Sequence, residues 1–241
     1  YFLSPRANTR LLRKNLRLDF PRLVWPMLGI GFAPFAMNLA HSLLNVVLNR
    51  GLRDYGGDEA IAVMGILSAY MSLIFMPTFG ITQAAQPLIG YNYGARQYGR
   101  VRHLFWATAT ATTILMFLGW GTSQLFPSHI LRMFVPADSS LIPLGVRALH
   151  IFTLAFPLIG FPISGGHLFQ AIGKPLQAAL LAMSRQILLF IPFILIFPRF
   201  WGLDGIFIAA PASDSITFLI SLYMVGRLLR HLHRLEVESA S

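Results

Sequence analysis

Cysteine and charged residues are what this sequence has least of. It contains no cysteine, which excludes disulfides, thiol nucleophiles and thiolate metal sites. Only 12% of its 241 residues are charged, whereas soluble domains carry about 25%. Apolar residues make up 55% of the chain, and the mean hydropathy is +0.62. The composition therefore argues against a water-soluble globular domain.

Long apolar stretches occupy most of the sequence. A membrane-spanning helix needs about 20 mostly apolar residues, and six stretches provide them: 23–47, 60–90, 103–126, 142–171, 177–198 and 203–226. The sequence therefore predicts an all-α, polytopic membrane protein whose six transmembrane helices form one bundle over residues 23–227. The chain opens at Tyr1 on a basic, polar segment that does not resemble a signal peptide, so we expect a fragment whose beginning is missing.

The basic residues indicate how the helices are oriented. The 19 Lys and Arg residues outnumber the 9 Asp and Glu residues, but they fall mainly between the apolar stretches rather than forming a nucleic-acid-binding surface. The connections on the side of both termini carry thirteen of them, whereas the opposite side carries four, namely Arg50, Arg53, Arg132 and Arg199. Because cytoplasmic loops are enriched in Lys and Arg, both termini are predicted to face the cytoplasm. The expected surroundings are membrane lipid, with no nucleic-acid partner.

Prolines interrupt five of the six apolar stretches. They are Pro26, Pro34, Pro77, Pro87, Pro157, Pro162, Pro192 and Pro211. Each removes a backbone donor and crowds the preceding turn, so these helices are predicted to kink or break. Broken helices at membrane depth need protein or a water-filled cavity around the freed carbonyls. This density favours gating or a cavity, although proline is also generally commoner in membrane helices.

Two opposite charges are predicted to meet inside the membrane. Asp214 lies about ten residues into the last stretch, or ~15 Å, and Arg185 lies about nine residues into the antiparallel fifth stretch, or ~14 Å. Both therefore fall near one plane of the bilayer and could pair. An unpaired charge there is expensive, so two hypotheses remain open. Asp214 binds a proton or another cation beside an aqueous cavity, or it forms a structural pair with Arg185 that locks two helices.

A second polar face lies on the first apolar stretch. Asn38, His41 and Asn45 follow helical spacing and share one side. We interpret Asn38 and His41 as groups that line a cavity and bind substrate or ion, with hydrogen bonding between packed helices as the alternative. The sequence shows no paired carboxylates, metal-binding motif, nucleophile elbow or phosphate loop. It therefore predicts no enzyme, no metal site and no cofactor.

One motif carries a specific family resemblance. The run of Gln86, Pro87, Leu88, Ile89, Gly90, Tyr91, Asn92, Tyr93, Gly94 and Ala95 follows a Gly-Ile pair at residues 80–81. It closely resembles the start of the second half of bacterial multidrug and toxic compound extrusion (MATE) transporters. Residues 169–175 (FQAIGKP) and 202–214 (GLDGIFIAAPASD) are similar to later segments of the same family in the same order. The resemblance covers nearly the whole chain.

The motif also has a physical interpretation of its own. The Gln86 amide could replace backbone bonds lost at Pro87, and Gly90 and Gly94 would permit a tight exit from the helix. We therefore assign Gln86, Pro87, Gly90, Asn92 and Gly94 a structural and gating role, together with Arg185.

The resemblance implies the function of one half of a larger transporter. Members of the family have two six-helix lobes and export amphipathic, often cationic, drugs in exchange for H⁺ or Na⁺ by alternating access. The six stretches would then be the C-terminal lobe, residues 1–22 the cytoplasmic linker, residues 228–241 the cytoplasmic tail, and the bacterial inner membrane the location. Some sodium-coupled members carry an acidic residue where this chain has Asn38, His41 and Asn45, so the coupling ion stays open. The alternatives are a lipid-linked oligosaccharide flippase and a scaffold fragment that transports nothing.

Overall fold

Regular secondary structure in the described residues is entirely helical, which confirms the predicted all-α class. The structure is a computed structural model that describes the backbone of residues 25–136 and 138–240. Side chains are described for residue 39 and for residues 41–136 and 138–237. Its elements are α1 (Trp25–Gly94), α2 (Tyr98–Leu125), α3 (Pro127–Arg132), α4 (Leu141–Phe152), α5 (Phe156–Ala171), α6 (Pro175–Met183), a π-helix (Ser184–Phe190), α7 (Ile191–Ile196), α8 (Pro198–Trp201) and α9 (Leu203–Ala240). The predicted linker over 1–22 lies outside the described residues.

The chain divides into two compact units, Tyr1–Leu43 and Leu44–Ser241. In its described part the first unit contains only the beginning of α1. The second unit contains the rest of α1 and all the other helices named above. The remaining description of contacts concerns this second unit.

Several helical segments are long and apolar enough to cross a membrane. Within the described residues there are four, His41–Gly94, Tyr98–Leu125, Pro175–Trp201 and Leu203–Val237, or five if the bent pair of α4 and α5 counts as one span. This count falls below the six predicted spans because His41–Gly94 combines two helices that meet at a kink, and so contains parts of the first two predicted spans. The His41–Gly94 segment is 54 residues long, whereas one crossing takes about 20. Its backbone leaves the helical conformation at Gly57, with φ 64° and ψ −161°.

The prolines have two different outcomes. Pro157 and Pro192 each lie in the first turn of a helix, where the missing N–H costs little. The predicted disruption does occur just before them, as a 52° bend between α4 and α5 and as the π-helix before α7. The helix does not break at Pro34, Pro77, Pro87, Pro162 and Pro211, where the backbone remains helical, and a kink at these positions stays a prediction. Neighbouring helices and hydroxyl side chains can satisfy freed carbonyls in a membrane helix, which explains this tolerance.

The hydrophobic core has two parts, one towards each end of the bundle. One contains Leu52, Leu67, Phe156, Ile206 and Phe207, all at most 1% exposed. The other contains buried side chains of α2, α5 and the second half of α9, among them Phe105, Leu168, Val225 and Leu232. This second cluster lies where the α1–α2 turn, the α5–α6 turn and the end of α9 meet. Those connections belong to the side that the charge count predicts to be cytoplasmic.

Helices α2 and α5 approach closely because small residues separate them. At Gly160 an added Cβ atom would lie 2.7 Å from the backbone nitrogen of Thr113. The Thr112 hydroxyl lies 2.9 Å from the Ser164 hydroxyl and donates to the Gly160 carbonyl at 3.2 Å. Small residues and hydroxyl bonds of this kind hold membrane helices together when hydrophobic burial does not.

Enlarging Gly160 should therefore separate α2 from α5. We expect Gly160→Ala to lower the free energy of unfolding by about 1–3 kcal/mol, because a backbone atom rather than a flexible side chain blocks the new methyl group. Gly166→Ala is the matched control in the same helix, since an added Cβ there meets no atom within 4 Å. The control should be neutral or slightly stabilising. Equal thermal unfolding midpoints for the two detergent-purified variants would contradict this packing.

Candidate functional site

A buried polar stripe runs along the middle of α9. Asp214, Thr217 and Ser221 share one face, as their spacing predicts, and are 4%, 2% and 0% exposed. The Thr217 hydroxyl donates to the carbonyl of Ser213 at 2.8 Å. The Ser221 hydroxyl has no hydrogen-bond partner among the described residues. The stripe is therefore enclosed by protein, with one polar atom left unsatisfied.

Arg185 and Asp214 form an ion pair, one of the two arrangements that their depths left open. The Arg185 Nε atom donates to the Asp214 Oδ1 atom at 2.5 Å. The aspartate is 4% exposed, whereas the arginine is 29% exposed. The guanidinium carbon also lies 6.0 Å from the centre of the Phe75 ring, within the range of cation–π attraction. The pair thus joins α9 to the π-helix. Of the two side chains, Arg185 is the one that is partly exposed at the surface of this chain.

The π-helix gives Arg185 an unusual backbone setting. It covers Ser184–Phe190 and is followed at once by α7, with Pro192 in the first turn. Proline cannot donate a backbone hydrogen bond and crowds the carbonyl four residues earlier, which accounts for the irregular helix before it. Short π-helical segments occur often at functional sites. The sequence signals a disruption here through Pro192, but it does not reveal its type or that Arg185 lies within it.

Three further buried polar atoms have no partner in the described part of the chain. The Nε1 atom of Trp120, the Nε2 atom of His150 and the Nδ1 atom of His167 have no hydrogen-bond partner among the described residues. Buried groups of this kind are rare in folded proteins and call for a partner. The ring of His167 packs against the edge of Phe79, with 6.5 Å between centroids. No spacing pattern in the sequence marks these atoms, because their isolation depends on which helices surround them.

The Gln-Pro-Leu-Ile-Gly motif ends α1 and forms the turn into α2. Gly90 faces the end of α5, since an added Cβ atom would lie 3.2 Å from the Ala171 carbonyl oxygen. The Asn92 amide donates to the Leu88 carbonyl at 2.8 Å. The residue with positive φ in this turn is Arg96, at 58°, rather than Gly94. Gly90 thus lies close to the end of α5, and the Asn92 side chain bonds within the last turns of α1.

The end of α1 shows the tight exit from the helix without a left-handed glycine. Helix α1 ends at Gly94, and the left-handed residue of the turn that follows is Arg96. Near Pro87, the hydroxyl of Thr82 donates to the carbonyls of Thr78 and Phe79, at 3.2 and 3.0 Å. The predicted role of the Gln86 amide beside Pro87 stays a prediction.

The remaining predicted site residues lie in the first unit. The Asn38 side chain is outside the described part of the chain, and His41 is exposed within α1. Asp214 belongs to the second unit. The predicted pocket shared by Asn38, His41 and Asp214 therefore stays a prediction.

Removing Arg185 alone should destabilise the protein more than removing both members of the Arg185–Asp214 pair. Arg185→Gln leaves the buried carboxylate without its cation, and we expect a loss of about 3 kcal/mol in unfolding free energy. Asp214→Asn should cost less, about 1–2 kcal/mol, because the remaining guanidinium can turn towards solvent. The double variant should be more stable than Arg185→Gln alone. Thermal unfolding in detergent measures all three.

A more exposed ion pair, away from the centre of the bundle, provides the control for these variants. Arg147 and Asp204 form an ion pair with side chains that are 64% and 23% exposed. Arg147→Gln should cost less than about 1 kcal/mol, because exposed ion pairs contribute little. If Arg185→Gln proved no more harmful than Arg147→Gln, the central pair would have no stabilising role.

Known membrane transporters share both the sequence and the fold of this chain. The MatE family profile matches residues 33–196. Multidrug export protein MepA of Staphylococcus aureus is 26% identical over 232 residues, which are 93% of this chain and 49% of that protein. The chain thus spans about half the length of this relative.

Solved structures give the same picture. The structure of the MATE multidrug transporter DinF-BH is 36% identical, with a TM-score of 0.76 over 94% of this chain and 50% of that one. An inward-facing structure of a multidrug resistance MATE family transporter of the MOP superfamily superposes with a TM-score of 0.84. It covers 97% of this chain and 54% of the other at 16% identity, and therefore shows the fold alone.

Proposed function

The chain belongs to the MatE family, and from this membership we propose that it is the C-terminal half of a multidrug efflux antiporter. Such a protein would export amphipathic, often cationic, compounds in exchange for H⁺ or Na⁺ by alternating access. The observation that carries the proposal is the match of 94% of this chain to 50% of a MATE multidrug transporter at 36% identity. The bacterial inner membrane is the proposed location, with both ends of the segment on the cytoplasmic side.

The proposal assigns the missing half to an N-terminal six-helix lobe of the same protein. Relatives of about twice this length support that assignment. Exposed apolar side chains are also numerous on the second unit, among them Leu73, Met76, Leu88 and Leu188, each at least 54% exposed. In a bilayer these side chains contact lipid or a partner lobe rather than water.

The central ion pair is the proposed element that responds to the coupling ion. A cation or proton that takes the place of Arg185 beside Asp214 would release the guanidinium, whose exposed fraction already gives it a route to solvent. Replacing one positive partner by another keeps the carboxylate neutralised at every stage, so neither state leaves a bare charge in the membrane. Asn38 and His41 are the proposed cavity-lining groups on the first helix.

Dye efflux provides the direct test of the proposed function. The chain would be expressed with the six-helix lobe encoded upstream of Tyr1, in bacteria that lack their own drug pumps. We expect ethidium to leave these cells faster than it leaves cells that express either half alone, at matched membrane abundance. A flippase would export no dye, and a scaffold would give no cation flux in liposomes. Either result, or an upstream sequence without six apolar spans, would contradict the proposal.

The coupling role of Asp214 has its own test. We expect Asp214→Asn to reduce ethidium efflux at least tenfold in the complete protein at matched abundance, since amides do not bind protons or cations as carboxylates do. Asp214→Glu should retain part of the activity because it keeps the carboxylate. Proteoliposomes with an imposed pH gradient or an imposed Na⁺ gradient identify the ion. Parental efflux in the Asn variant would leave Asp214 with a structural role only.

A further inference from the structure

A basic cavity lies at the end of the bundle where α5 turns into α6. Its volume is about 820 Å³, and α9 and the α5–α6 turn form its walls. The positively ionisable residues that line it are Lys174, Arg227, Arg230, His231 and Arg234, and none of the described residues in the lining is acidic. Phe169 and Leu228, both part of the buried core at this end, form an apolar floor. This basic cavity is separate from the central ion pair.

The turn after α5 fixes the position of Lys174. The amide of Lys174 donates to the Phe169 carbonyl at 2.8 Å, and the amide of Gly173 donates to the Gln170 carbonyl at 3.1 Å. Gly173 has a φ of 73°. These two bonds and the left-handed glycine form a Schellman motif, which closes a helix end rigidly. The turn therefore holds the start of the Lys174 side chain beside α9 rather than leaving it on a loose loop.

The cations of the cavity have no acidic counterpart in the described residues. Lys174, Arg227 and Arg230 form none of the ion pairs found there. Glu236, the nearest described acid along α9, instead pairs with Arg102 at 2.9 Å and lies 3.7 Å from His233. Like charges at helical neighbour positions repel one another. An anion in the cavity would relieve that repulsion.

The surface beside the cavity has the polarity profile of a lipid. Leu219, Tyr223, Arg227 and Arg230 follow helical spacing along one face of α9. Leu219 is 62% exposed and Tyr223 is 66% exposed. From the predicted membrane centre outwards, this face therefore changes from aliphatic to aromatic to basic. Acyl chain, interface and phosphate headgroup of a lipid follow the same order.

We propose that the basic cavity binds the phosphate headgroup of an anionic membrane lipid, with its acyl chains along the exposed apolar face of α9. Basic pockets between transmembrane helices are suited to such headgroups. Lys174 and Arg227 approach the phosphate from two different elements, so binding also ties the α5–α6 turn to α9. The site needs neither the central ion pair nor transport activity.

Lipid binding by the purified full chain tests this site. The probe is dioleoylphosphatidylglycerol, titrated into nanodiscs of phosphatidylcholine and followed by native mass spectrometry of the released protein. We expect each of Lys174→Gln, Arg227→Gln and Arg230→Gln to weaken binding about fivefold. Lys174→Arg, which keeps the charge, should bind like the parent. Undiminished binding in the variant with all three Gln substitutions would overturn the proposal.

Two controls separate this site from general basic attraction and from soluble phosphate. Arg100→Gln removes an exposed cation at the same end of the bundle, outside the cavity, where its partner is Gln97 at 2.9 Å. It should leave binding unchanged, and an equal loss in this variant would overturn the cavity assignment. Millimolar inorganic phosphate or glycerol phosphate should not displace the lipid. Complete displacement would assign the site to soluble phosphate rather than lipid and so contradict the proposal.

Discussion

Hydrocarbon offers no hydrogen-bond partner, and this single constraint governs the fold of the chain. The described backbone is helical, so its hydrogen bonds are made within each helix. Buried hydroxyls also bond within their helix, because Thr78, Thr108 and Thr217 each donate to the carbonyl four residues earlier. Where α2 meets α5, the Thr112 and Ser164 hydroxyls also contact each other. Buried hydroxyls thus find partners within their own helix, or, as with Thr112 and Ser164, on the neighbouring one.

The same constraint explains where the irregular backbone and the internal charges lie. Asp214 is nearly inaccessible, so its charge requires a partner, and Arg185 supplies it from the π-helix. An irregular helix has a less regular set of carbonyl bonds and is easier to rearrange than an ideal α-helix. In the proposed antiporter, this ion pair and the irregular helix are the element that would rearrange.

The two ends of the bundle differ in how they balance charge. At one end, Arg147 pairs with Asp204, and the Ser140 hydroxyl donates to Glu59 at 3.3 Å. At the other end, arginine outnumbers acid among the described residues, and several of these arginines line the basic cavity. The imbalance fits a protein whose basic end faces anionic headgroups, because such headgroups supply the negative charge that the chain lacks.

Much of the architecture follows from the sequence alone, because hydrophobic length and charge are local properties. The apolar stretches determined the membrane-spanning class, and the depths of Arg185 and Asp214 in antiparallel stretches placed the two charges near one plane, where they could pair. The tertiary structure alone decided which prolines disrupt a helix, because satisfaction of a freed carbonyl depends on neighbouring helices. It also decided that Gly160 allows α2 to approach α5, and that the α5–α6 turn brings Lys174 beside Arg227. Residues distant in the chain share a site only when packing brings them together. No local sequence pattern shows which distant residues become neighbours in space.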